Sequence, residues 1–419
     1  MRVLVLGAGV VGTAAAWYLA EAGHEVTVVD RQTGPALETS FANGGQISVS
    51  HAEPWANPSA PWKVLKWMFR EDAPLLFRLR ADPAEWRWCM RFLRECTAAR
   101  TRRNIAQLVA LGLYSRALLR DLRTRLGLRY DDLQKGILHF YTSGQEWAAA
   151  QAPASLMREK GCSLEMLSPS QCVALEPALK PLESRLAGGS HSPDDESGDA
   201  RLFTSSLARH CERAGVAFRW GWLFRGFAPA GDVVSGVYAT GPEGQSDVLR
   251  ADAYVVALGS YSPLLLRGIG IDLDIYPAKG YSITLPVTGD GAPVMSLTDD
   301  ECKLVFSRLG DRLRVAGTCE LNGYDTTLNE VRIRAILQRT QALFPAACDY
   351  TKVTAWTGLR PATPSNVPYI GCTRFRNLFL NTGHGTLGWT HACGSGMAIA
   401  DIVSGRMPDV AFAFAGLAN

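Results

Sequence analysis

The first thirty residues alternate between apolar runs and polar breaks in a pattern that predicts a β-α-β unit. Val3–Leu6 is an apolar run without alternation, which is typical of a strand buried on both faces. A helix is predicted over 13–22, and Gly23 supplies its stop. A second apolar run, Val26–Val29, predicts the next strand. The pattern therefore indicates strand, loop, helix and strand in direct succession.

A glycine-rich loop, Gly7–Gly12, joins the first strand to the helix. Gly7 permits the tight turn, Gly9 lets a pyrophosphate approach the backbone, and Gly12 lets helix and strand pack closely. The free N–H groups and partial positive charge of the helix N-terminus suit phosphates. Asp30, at the end of the second strand, is placed to accept hydrogen bonds from ribose hydroxyls. The order of these features predicts a dinucleotide site rather than a chance glycine turn, and it leaves FAD and NAD both open.

The same patterns place the remaining elements. Apolar runs over 253–260 and 378–381 predict two more strands of the same parallel sheet. Alternating segments over 276–285 and 302–316 predict antiparallel strands. Residues 62–127 have helical spacing and are predicted to form two or three helices. We expect two interleaved domains, a nucleotide-binding α/β domain and a mixed α+β substrate domain. The predicted boundaries are 1–60, 150–260 and 350–419 for the first domain, and 61–149 and 261–349 for the second.

A second glycine-rich loop, Thr382–Trp389, follows the strand predicted near the C-terminus and leads into a helix. A nicotinamide dehydrogenase has no need of such a helix start so late in the chain. A flavin does, because its ring lies far from its adenosine. Backbone N–H groups from Gly385 to Gly388 and the helix dipole suit the negative charge of a reduced flavin. The alternative is a helix that packs on the sheet through its glycines.

The loop Thr39–Gln46 is rich in small residues, which let a ligand approach the backbone closely. A dinucleotide laid across the first strand would reach this loop. A plain surface loop is the alternative.

Composition and charge narrow the class of protein. The chain has 419 residues, of which 47% are hydrophobic and 20% charged, so it is an ordinary globular protein with room for two domains. Its net charge is +3, but residues 62–130 contain 16 Lys/Arg and six Asp/Glu. This segment is either a solvated helical face or a docking surface for a membrane or partner. Trp62, Trp67, Trp86 and Trp88 favour membrane contact, and no nucleic-acid recognition motif accompanies the charge.

Cysteine and histidine spacing argue against disulfide and metal sites. The 10 cysteines show no CxxC pair, which favours reduced thiols in a cytosolic protein. The seven histidines form no HxxxH or HExxH pattern, so no metal site is predicted. Neither a signal peptide nor an apolar run of about 18 residues is recognisable. We therefore expect a cytoplasmic protein that binds no nucleic acid. Any membrane contact is expected at the inner face of the cell membrane. The sequence does not indicate the oligomeric state.

Six segments together resemble a known family. They are Gly7–Gly12, Asp30-Arg31, Ser40–Gln46, Tyr276–Tyr281, Gly358–Pro361 and Asn381–Trp389. Over nearly its whole length the chain resembles the FAD-dependent D-amino acid dehydrogenases, in the group that contains D-amino acid oxidase and glycine oxidase. The resemblance implies an FAD-binding Rossmann-like domain of the glutathione-reductase type. It also implies oxidation of a D-alanine-like D-amino acid to a 2-oxo acid and ammonia, with electrons passing to a quinone or another acceptor.

The implied cofactor, FAD, has candidate ligands in every glycine-rich segment. Cys372 does not match the family's position for a covalent flavin, so FAD is expected to be non-covalent. The candidate cofactor-binding residues are Gly7, Gly9, Val10, Val11, Gly12, Asp30, Arg31, Ser40, Asn43, Gly44, Gly45, Gln46, Gly259, Gly383, Gly385, Thr386, Leu387 and Gly388.

Three residues are candidates for the substrate site. The resemblance maps the family's substrate arginine onto Arg360, and an arginine fork holds a carboxylate through two parallel hydrogen bonds. Tyr281 is the second candidate, with a core tyrosine as the alternative. His51 is the third, because it stands where better-known members carry a tyrosine. Lys279 is expected near the flavin or at the surface. No general base is predicted, since hydride can pass directly from Cα of a neutral amine to the flavin.

Three other interpretations stay open at this point. The chain is an oxidase or dehydrogenase of glycine, sarcosine or another secondary amine such as D-proline, on the same fold. Alternatively it is an FAD-binding subunit without turnover, or a dehydrogenase that uses only a nicotinamide.

Overall fold

The computed structural model of the chain describes residues 1–67, 71, 73–78 and 80–417, without the side chains of residues 65–67. Its strands are β1 (Arg2–Leu6), β2 (Glu25–Asp30), β3 (Gln46–Ile47), β4 (Leu75–Phe77), β5 (Ile137–Tyr141), β6 (Glu165–Leu167), β7 (Gly188–Ser192), β8 (Glu196–Ser197), β9 (Ala217–Trp220), β10 (Leu223–Ala230), β11 (Val233–Thr240), β12 (Ser246–Leu249), β13 (Ala253–Val256), β14 (Tyr276–Pro286), β15 (Ser296–Asp299), β16 (Leu304–Leu309), β17 (Arg312–Leu321), β18 (Thr354–Ala362), β19 (Tyr369–Cys372) and β20 (Leu378–Thr382).

The helices alternate with these strands along the chain. They are α1 (Val10–Glu21), α2 (Ala60–Trp67), α3 (Pro83–Glu95), α4 (Ala98–Leu126), α5 (Gly144–Glu159), α6 (Pro169–Leu175), α7 (Ala200–Arg213), α8 (Ser262–Leu266), α9 (Glu330–Leu343) and α10 (Gly388–Val403). Within the described ranges, none of the helices is both long and apolar enough to cross a membrane.

A six-stranded sheet carries the first glycine loop. Its order is β19-β20-β13-β1-β2-β9, and β1 pairs in parallel with both β2 and β13. The strand predicted near the C-terminus, β20, pairs in parallel with β13, as expected. One face packs on α1, α7 and α10, whose small residues allow close approach, and the other packs on an antiparallel sheet of β10, β11 and β12. The predicted α/β fold class is confirmed.

A nine-stranded, mainly antiparallel sheet forms the second half of the molecule. Its order is β18-β14-β17-β16-β15-β5-β7-β6, and β4 pairs with β17. Helix α9 covers one face, where Ile283, Leu313 and Phe344 lie in a shared apolar core. The other face of this sheet is turned toward the glycine loops of the first sheet.

The structure differs from the predicted domain boundaries at three strands. β6, β7 and β18 were assigned to the nucleotide-binding domain, yet they pair in the nine-stranded sheet. β18 is an edge strand, where proline is tolerated. Because proline is frequent in loops, the prolines around Arg360 hide this strand in the sequence pattern. Helix α4 also crosses the predicted division, because its C-terminal half packs in the core of α1 and α10. Apolar spacing alone does not show which sheet a strand joins.

Candidate active site

A large cavity lies between the six-stranded and nine-stranded sheets. Its volume is about 2030 Å3, and the two glycine loops, the loop after Thr39 and the inner face of the nine-stranded sheet form much of its wall. Helices α2, α3, α4 and α5 close its other end. Since sites for one small ligand measure roughly 300–1000 Å3, the cavity has room for a dinucleotide and a second, smaller molecule.

The glycines of the first loop do different work. Gly7 has φ +108°, and a Cβ there would lie 2.6 Å from the Ala257 carbonyl oxygen. A Cβ on Gly12 would lie 1.9 Å from the Gly7 carbonyl oxygen, so Gly12 serves the packing of α1 on the sheet. A Cβ on Gly9 would meet only Ser40 Oγ, at 3.5 Å, and the protein leaves that space to the cavity. The cavity wall in this loop consists of Gly7, Gly9, Val10 and Val11.

The end of β2 supplies a carboxylate to the cavity. Asp30 accepts hydrogen bonds from the backbone N–H groups of Ala8 at 2.7 Å and Gln32 at 2.8 Å, one on each oxygen. Burial raises the pKa of Asp30, while these two donors favour its charged form. Each oxygen keeps a lone pair for a ligand hydroxyl. Arg31 also lines the cavity, but its guanidinium pairs with Glu38 at 2.5 Å and lies over the Tyr261 ring.

The loop from Ser40 to Gln46 bridges the two sheets. Ser40 Oγ accepts a hydrogen bond from Val10 N at 3.1 Å, which ties the loop to the start of α1. At its other end Gln46 Nε2 donates to Ser296 Oγ of the nine-stranded sheet at 3.0 Å. A Cβ on Gly44 would lie 2.6 Å from a methyl group of Val305. The predicted residues Ser40, Asn43, Gly44, Gly45 and Gln46 all line the cavity.

The C-terminal loop enters the same cavity. Gly383 and Gly385 have φ +82° and +53°, and Gly385 N donates to the Pro361 carbonyl at 2.9 Å. Helix α10 then begins without a side-chain cap at Leu387. Two buried polar atoms at this end have no hydrogen-bond partner among the described residues, Asn381 Oδ1 and His384 Nε2. The predicted members Gly259, Gly383, Gly385, Thr386, Leu387 and Gly388 all line the cavity.

Arg360 lies on β18, at the edge of the nine-stranded sheet, and lines the cavity. Its Nη1 donates to the Thr318 carbonyl at 2.8 Å. Burial lowers the pKa of the guanidinium, and no carboxylate pairs with it within the described part of the chain. A half-buried cation without an acidic partner is poorly compensated, so this arrangement suits an anionic ligand. Pairing of β18 with β14 fixes the backbone at Arg360, which stands opposite Ala278.

Two neighbours of Arg360 were not singled out in the sequence, Thr318 and Gly280. Thr318 has φ +55°, and its hydroxyl is buried without a hydrogen-bond partner among the described residues. Gly280 lies directly beside the guanidinium, where a Cβ would come within 2.4 Å of Arg360 Cζ. Both belong to an irregular strand pair, which a single sequence does not reveal.

Both interpretations of Tyr281 stay open, because the residue lines the cavity and also packs in an apolar core. Its side chain is 1% exposed, packs in the core beneath α9 and donates a hydrogen bond from its hydroxyl to Glu320. The neighbouring Ser282 is tied to the cofactor loop, because its hydroxyl donates to the Ala42 carbonyl at 2.7 Å. Lys279 shares the face of Tyr281 and pairs with Asp325 at 2.9 Å, so it lies neither free at the surface nor beside the glycine loops.

His51 lines the cavity, but the structure does not bring it next to Arg360. Its ring centroid lies 5.3 Å from that of His139 on β5. Four strands separate β5 from β18, or about 24 Å along the sheet at the usual strand spacing. Burial lowers the pKa of both histidines, that of His139 to about 3, so both are neutral at pH 7. The prediction grouped His51 with Arg360; both line the same cavity, with His51 beside β5 and Arg360 on the edge strand β18.

Comparison with known proteins identifies the family. Residues 2–402 match the family model DAO, described as FAD dependent oxidoreductase. The chain belongs to this family of FAD-dependent oxidoreductases.

The most similar relatives and the structural neighbours agree with this assignment. A D-amino acid dehydrogenase from Dechloromonas aromatica (strain RCB) is 59% identical, over 99% of both chains. One from Paramagnetospirillum magneticum (strain ATCC 700264 / AMB-1) is 54% identical, over 97% of this chain and 96% of its own. Glycine oxidase from Bacillus cereus ATCC 14579 shares the fold with a TM-score of 0.73 at 22% identity, over 96% of this chain and 95% of its own. L-proline dehydrogenase from P. horikoshii does so with a TM-score of 0.75 at 17% identity, over 97% and 94%.

The cavity of this FAD-dependent oxidoreductase fits the cofactor. Helices α1 and α10 both begin at the cavity without N-cap side chains. Apart from the N–H of Val10, which donates to Ser40 Oγ, their first-turn N–H groups are available to anionic parts of a ligand. The space beside Gly9 is filled by no protein atom, which suits a phosphate against the backbone. The unpartnered atoms of Asn381 and His384 also call for polar ligand groups near α10. Burial lowers the pKa of His384 to about 3, so it faces a ligand as a neutral ring.

Proposed function

We propose that this oxidoreductase converts D-amino acids of the D-alanine type into 2-oxo acids and ammonia and passes the electrons to a quinone or another acceptor. The observation that carries the proposal is Arg360, a half-buried cation on the cavity wall without an acidic partner in the described ranges. The two relatives reported above, at 59% and 54% identity, carry the name D-amino acid dehydrogenase. An amino acid is the ligand class that combines a carboxylate for Arg360 with an oxidisable C–N bond.

Arg360 would orient the substrate through its carboxylate. Its guanidinium has five N–H donors, of which one on Nη1 is taken by Thr318. The remaining edge is free to form two parallel hydrogen bonds, which fixes both the position and the rotation of a carboxylate. FAD, when bound, supplies the acceptor for the hydride from Cα. The chain contributes position and a water-poor wall.

The buried histidines are not placed to act as bases at Arg360. The pKa of His384 and that of His139 are lowered to about 3 by burial, so these rings are neutral but weakly basic. We therefore infer that the substrate amine is bound in its neutral form and that no side chain removes a proton from Cα. This keeps the prediction that the reaction needs no general base.

The cofactor residues follow from the same reasoning. The N-terminus of α1 would hold the pyrophosphate over Gly9, and Asp30 would accept the ribose hydroxyls. The N-terminus of α10, from Gly385 to Gly388, would stabilise negative charge on the reduced flavin. We propose that FAD is held without a covalent bond, so acid precipitation should release the yellow chromophore into the supernatant.

Anaerobic bleaching of the flavin with a panel of D- and L-amino acids tests the proposed reaction. Bleaching by D-alanine but not by L-alanine is expected, followed by recovery of the oxidised spectrum with a quinone or dye. In air, the enzyme should reduce a dye rather than form hydrogen peroxide. Bleaching only by glycine, sarcosine or D-proline would instead indicate the secondary-amine reaction. No bleaching by any of these compounds would leave an FAD-binding subunit without turnover.

We further propose that the acceptor is reached at a membrane surface through the outer face of α3. Trp86, Met90 and Leu93 recur at helical spacing and are 48%, 58% and 56% exposed. Trp86 and Leu93 are also among the residues that line the cavity, so this face adjoins it. Arg94 is exposed on the same helix. Trp88, by contrast, is buried and donates to the Ala362 carbonyl, so it is a core residue. The side chain of Trp67 lies outside the described residues.

Fewer arginines of the segment 62–130 are free for docking than its sequence indicates. Several arginines of the segment 62–130 pair with acidic residues elsewhere in the chain, which absorbs part of its positive charge. These arginines are Arg87 and Arg91 with Asp274, Arg116 with Asp195, and Arg120 and Arg123 with Glu196. The docking face is therefore small and mainly apolar. Arg94 on the same helix, and Arg102 and Arg103 near the start of α4, are exposed and have no salt bridge within the described part of the chain.

Co-sedimentation with liposomes tests the docking face. Binding to anionic vesicles at low salt, weakening at high salt, is expected. The double variant M90E/L93E should lose it, whereas M407E, a charge at an exposed methionine on another surface, should not. Indifference of the unmodified enzyme to anionic vesicles at low salt would contradict the proposal.

A further inference from the structure

The strand pair next to Arg360 contains a β-bulge. The register between β14 and β17 shifts at Gly280, which stands opposite two residues of β17, Thr318 and Cys319. Bulges bend a strand and re-aim its groups, and they are frequent beside active sites. Here the bulge lies on the cavity wall, one strand from Arg360.

Thr318 departs from ordinary strand structure in two ways. Its φ of +55° is left-handed, which β-branched residues rarely adopt. Its hydroxyl is buried and has no hydrogen-bond partner among the residues that the structure describes. Both features cost free energy, and such costs concentrate at functional positions. The position of Thr318 is therefore explained by what it does for a neighbour.

That neighbour is Arg360. The left-handed turn directs the Thr318 carbonyl at Nη1 of Arg360, 2.8 Å away. On the adjacent strand, the absence of a side chain at Gly280 makes room for the guanidinium, since a Cβ there would lie 2.4 Å from Cζ and 2.5 Å from Nη2. The Thr318 carbonyl thus fixes Nη1, and the planar guanidinium packs against the backbone of Gly280.

We propose that Thr318 and Gly280 are positioning residues that form a seat for Arg360 and present the free edge of its guanidinium to the ligand carboxylate. The proposal deepens the proposed function, on which it rests for the statement that the carboxylate belongs to an amino acid. A guanidinium held in this way loses less freedom when it binds a planar anion, which strengthens binding. Both residues act through Arg360.

The variant G280A tests the seat without removing Arg360. The added Cβ meets the far end of a flexible side chain, so the protein should fold and the guanidinium should move. Pyruvate, titrated into the FAD-loaded enzyme and followed by flavin absorbance, should bind about 10- to 30-fold more weakly. KM for D-alanine should rise in parallel, whereas KM for D-alaninol, which has no carboxylate, should not change. In the control G236A the new Cβ also meets a side-chain methyl group of a neighbouring strand, 2.5 Å away and outside the cavity.

A double-mutant cycle with R360K distinguishes positioning from a general structural effect. Lysine places no guanidinium against Gly280, so G280A should change pyruvate binding less than twofold in the R360K background. Effects of G280A that are equal in both backgrounds would overturn the proposal.

The variant T318G provides a second test should G280A not fold. Glycine adopts φ +55° freely, so the melting temperature should stay the same or rise. The carbonyl becomes less fixed, and pyruvate should bind about tenfold more weakly. Unchanged binding would overturn the role of Thr318. If G280A and T318G weaken pyruvate binding but D-alanine does not bleach the flavin, the positioning role of Thr318 and Gly280 stands and the substrate assignment fails. If pyruvate binds equally to both variants and to the unmodified enzyme, the positioning role fails, whichever substrate is oxidised.

Discussion

The two walls of the cavity are built in different ways. On the six-stranded sheet the wall is mostly backbone, with glycines and two helix N-termini that each come from a short stretch of chain, Gly7–Gly12 and Gly383–Gly388. On the nine-stranded sheet the wall is made of side chains, and Arg360 of β18 depends on groups from β14 and β17. Cofactor binding is thus sensitive to any added atom, whereas substrate binding is sensitive to strand register.

The walls also differ in charge. The helix N-termini offer partial positive charges that suit phosphates and a reduced flavin. Arg360 offers a full charge in a buried setting, where burial lowers its pKa and an anionic partner is needed. The first wall therefore tolerates an absent ligand better than the second.

The variant G12A should have the largest effect, because Gly12 lies where helix α1 packs closely against the loop that follows β1. The new Cβ would lie 1.9 Å from the Gly7 carbonyl oxygen and would push α1 from the sheet. We expect a loss on the order of 4 kcal/mol in the free energy of unfolding, measured by denaturant unfolding of the apoprotein. G144A is the control, since a Cβ at Gly144 has no atom within 4 Å. Equal stability of G12A and the unmodified protein would contradict the packing role.

The variant R360K should have the next largest effect, on the side-chain wall. Lysine keeps the charge but loses the bidentate fork, so kcat/KM for D-alanine should fall ~30- to 1000-fold, or about 2–4 kcal/mol. D-alaninol should show no such loss. The exposed Arg376 gives the matched control R376K, which should leave both substrates unaffected. An equal loss on both substrates would assign Arg360 a structural role.

The sequence was sufficient for the backbone wall because each of its parts is local. The strand, glycine loop, helix and Asp30 are contiguous in the sequence. Small residues around Gly44 and Gly385 indicate segments whose backbone a ligand can approach closely. The side-chain wall was predictable only through a family resemblance, which supplied Arg360, Tyr281 and His51, all of which line the cavity. Thr318 and Gly280 could not be found, since a bulge exists only when two strands pair. The role of Tyr281 stays a prediction, because the residue both lines the cavity and packs in the core beneath α9.

The variant G9A distinguishes the effect of the backbone wall on FAD binding from its effect on the stability of the fold. A Cβ at Gly9 meets only Ser40 Oγ, at 3.5 Å, so the apoprotein should keep its melting temperature. The same Cβ would occupy the space for the pyrophosphate, and the dissociation constant for FAD should rise at least about 100-fold, or ~2.7 kcal/mol. Fluorescence of free flavin measures this, with G268A as the control at another unobstructed glycine. Normal FAD affinity would mean that the pyrophosphate lies elsewhere.

The variant Y281F should have the smallest effect and tests where the side-chain wall ends. Phenylalanine removes the hydroxyl that donates to Glu320, but Glu320 keeps Lys279 and Arg78 at 3.7 and 3.5 Å. We expect a loss of about 1 kcal/mol in the free energy of unfolding and no change in kcat/KM. Burial and Glu320 raise the pKa of Tyr281 well above its usual value, so the phenol stays protonated and the variant should leave the pH profile unchanged. Y276F, which removes a hydroxyl bonded to Asp82, is the control. A tenfold loss of kcat/KM with normal stability would instead give the Tyr281 hydroxyl a direct role at the substrate.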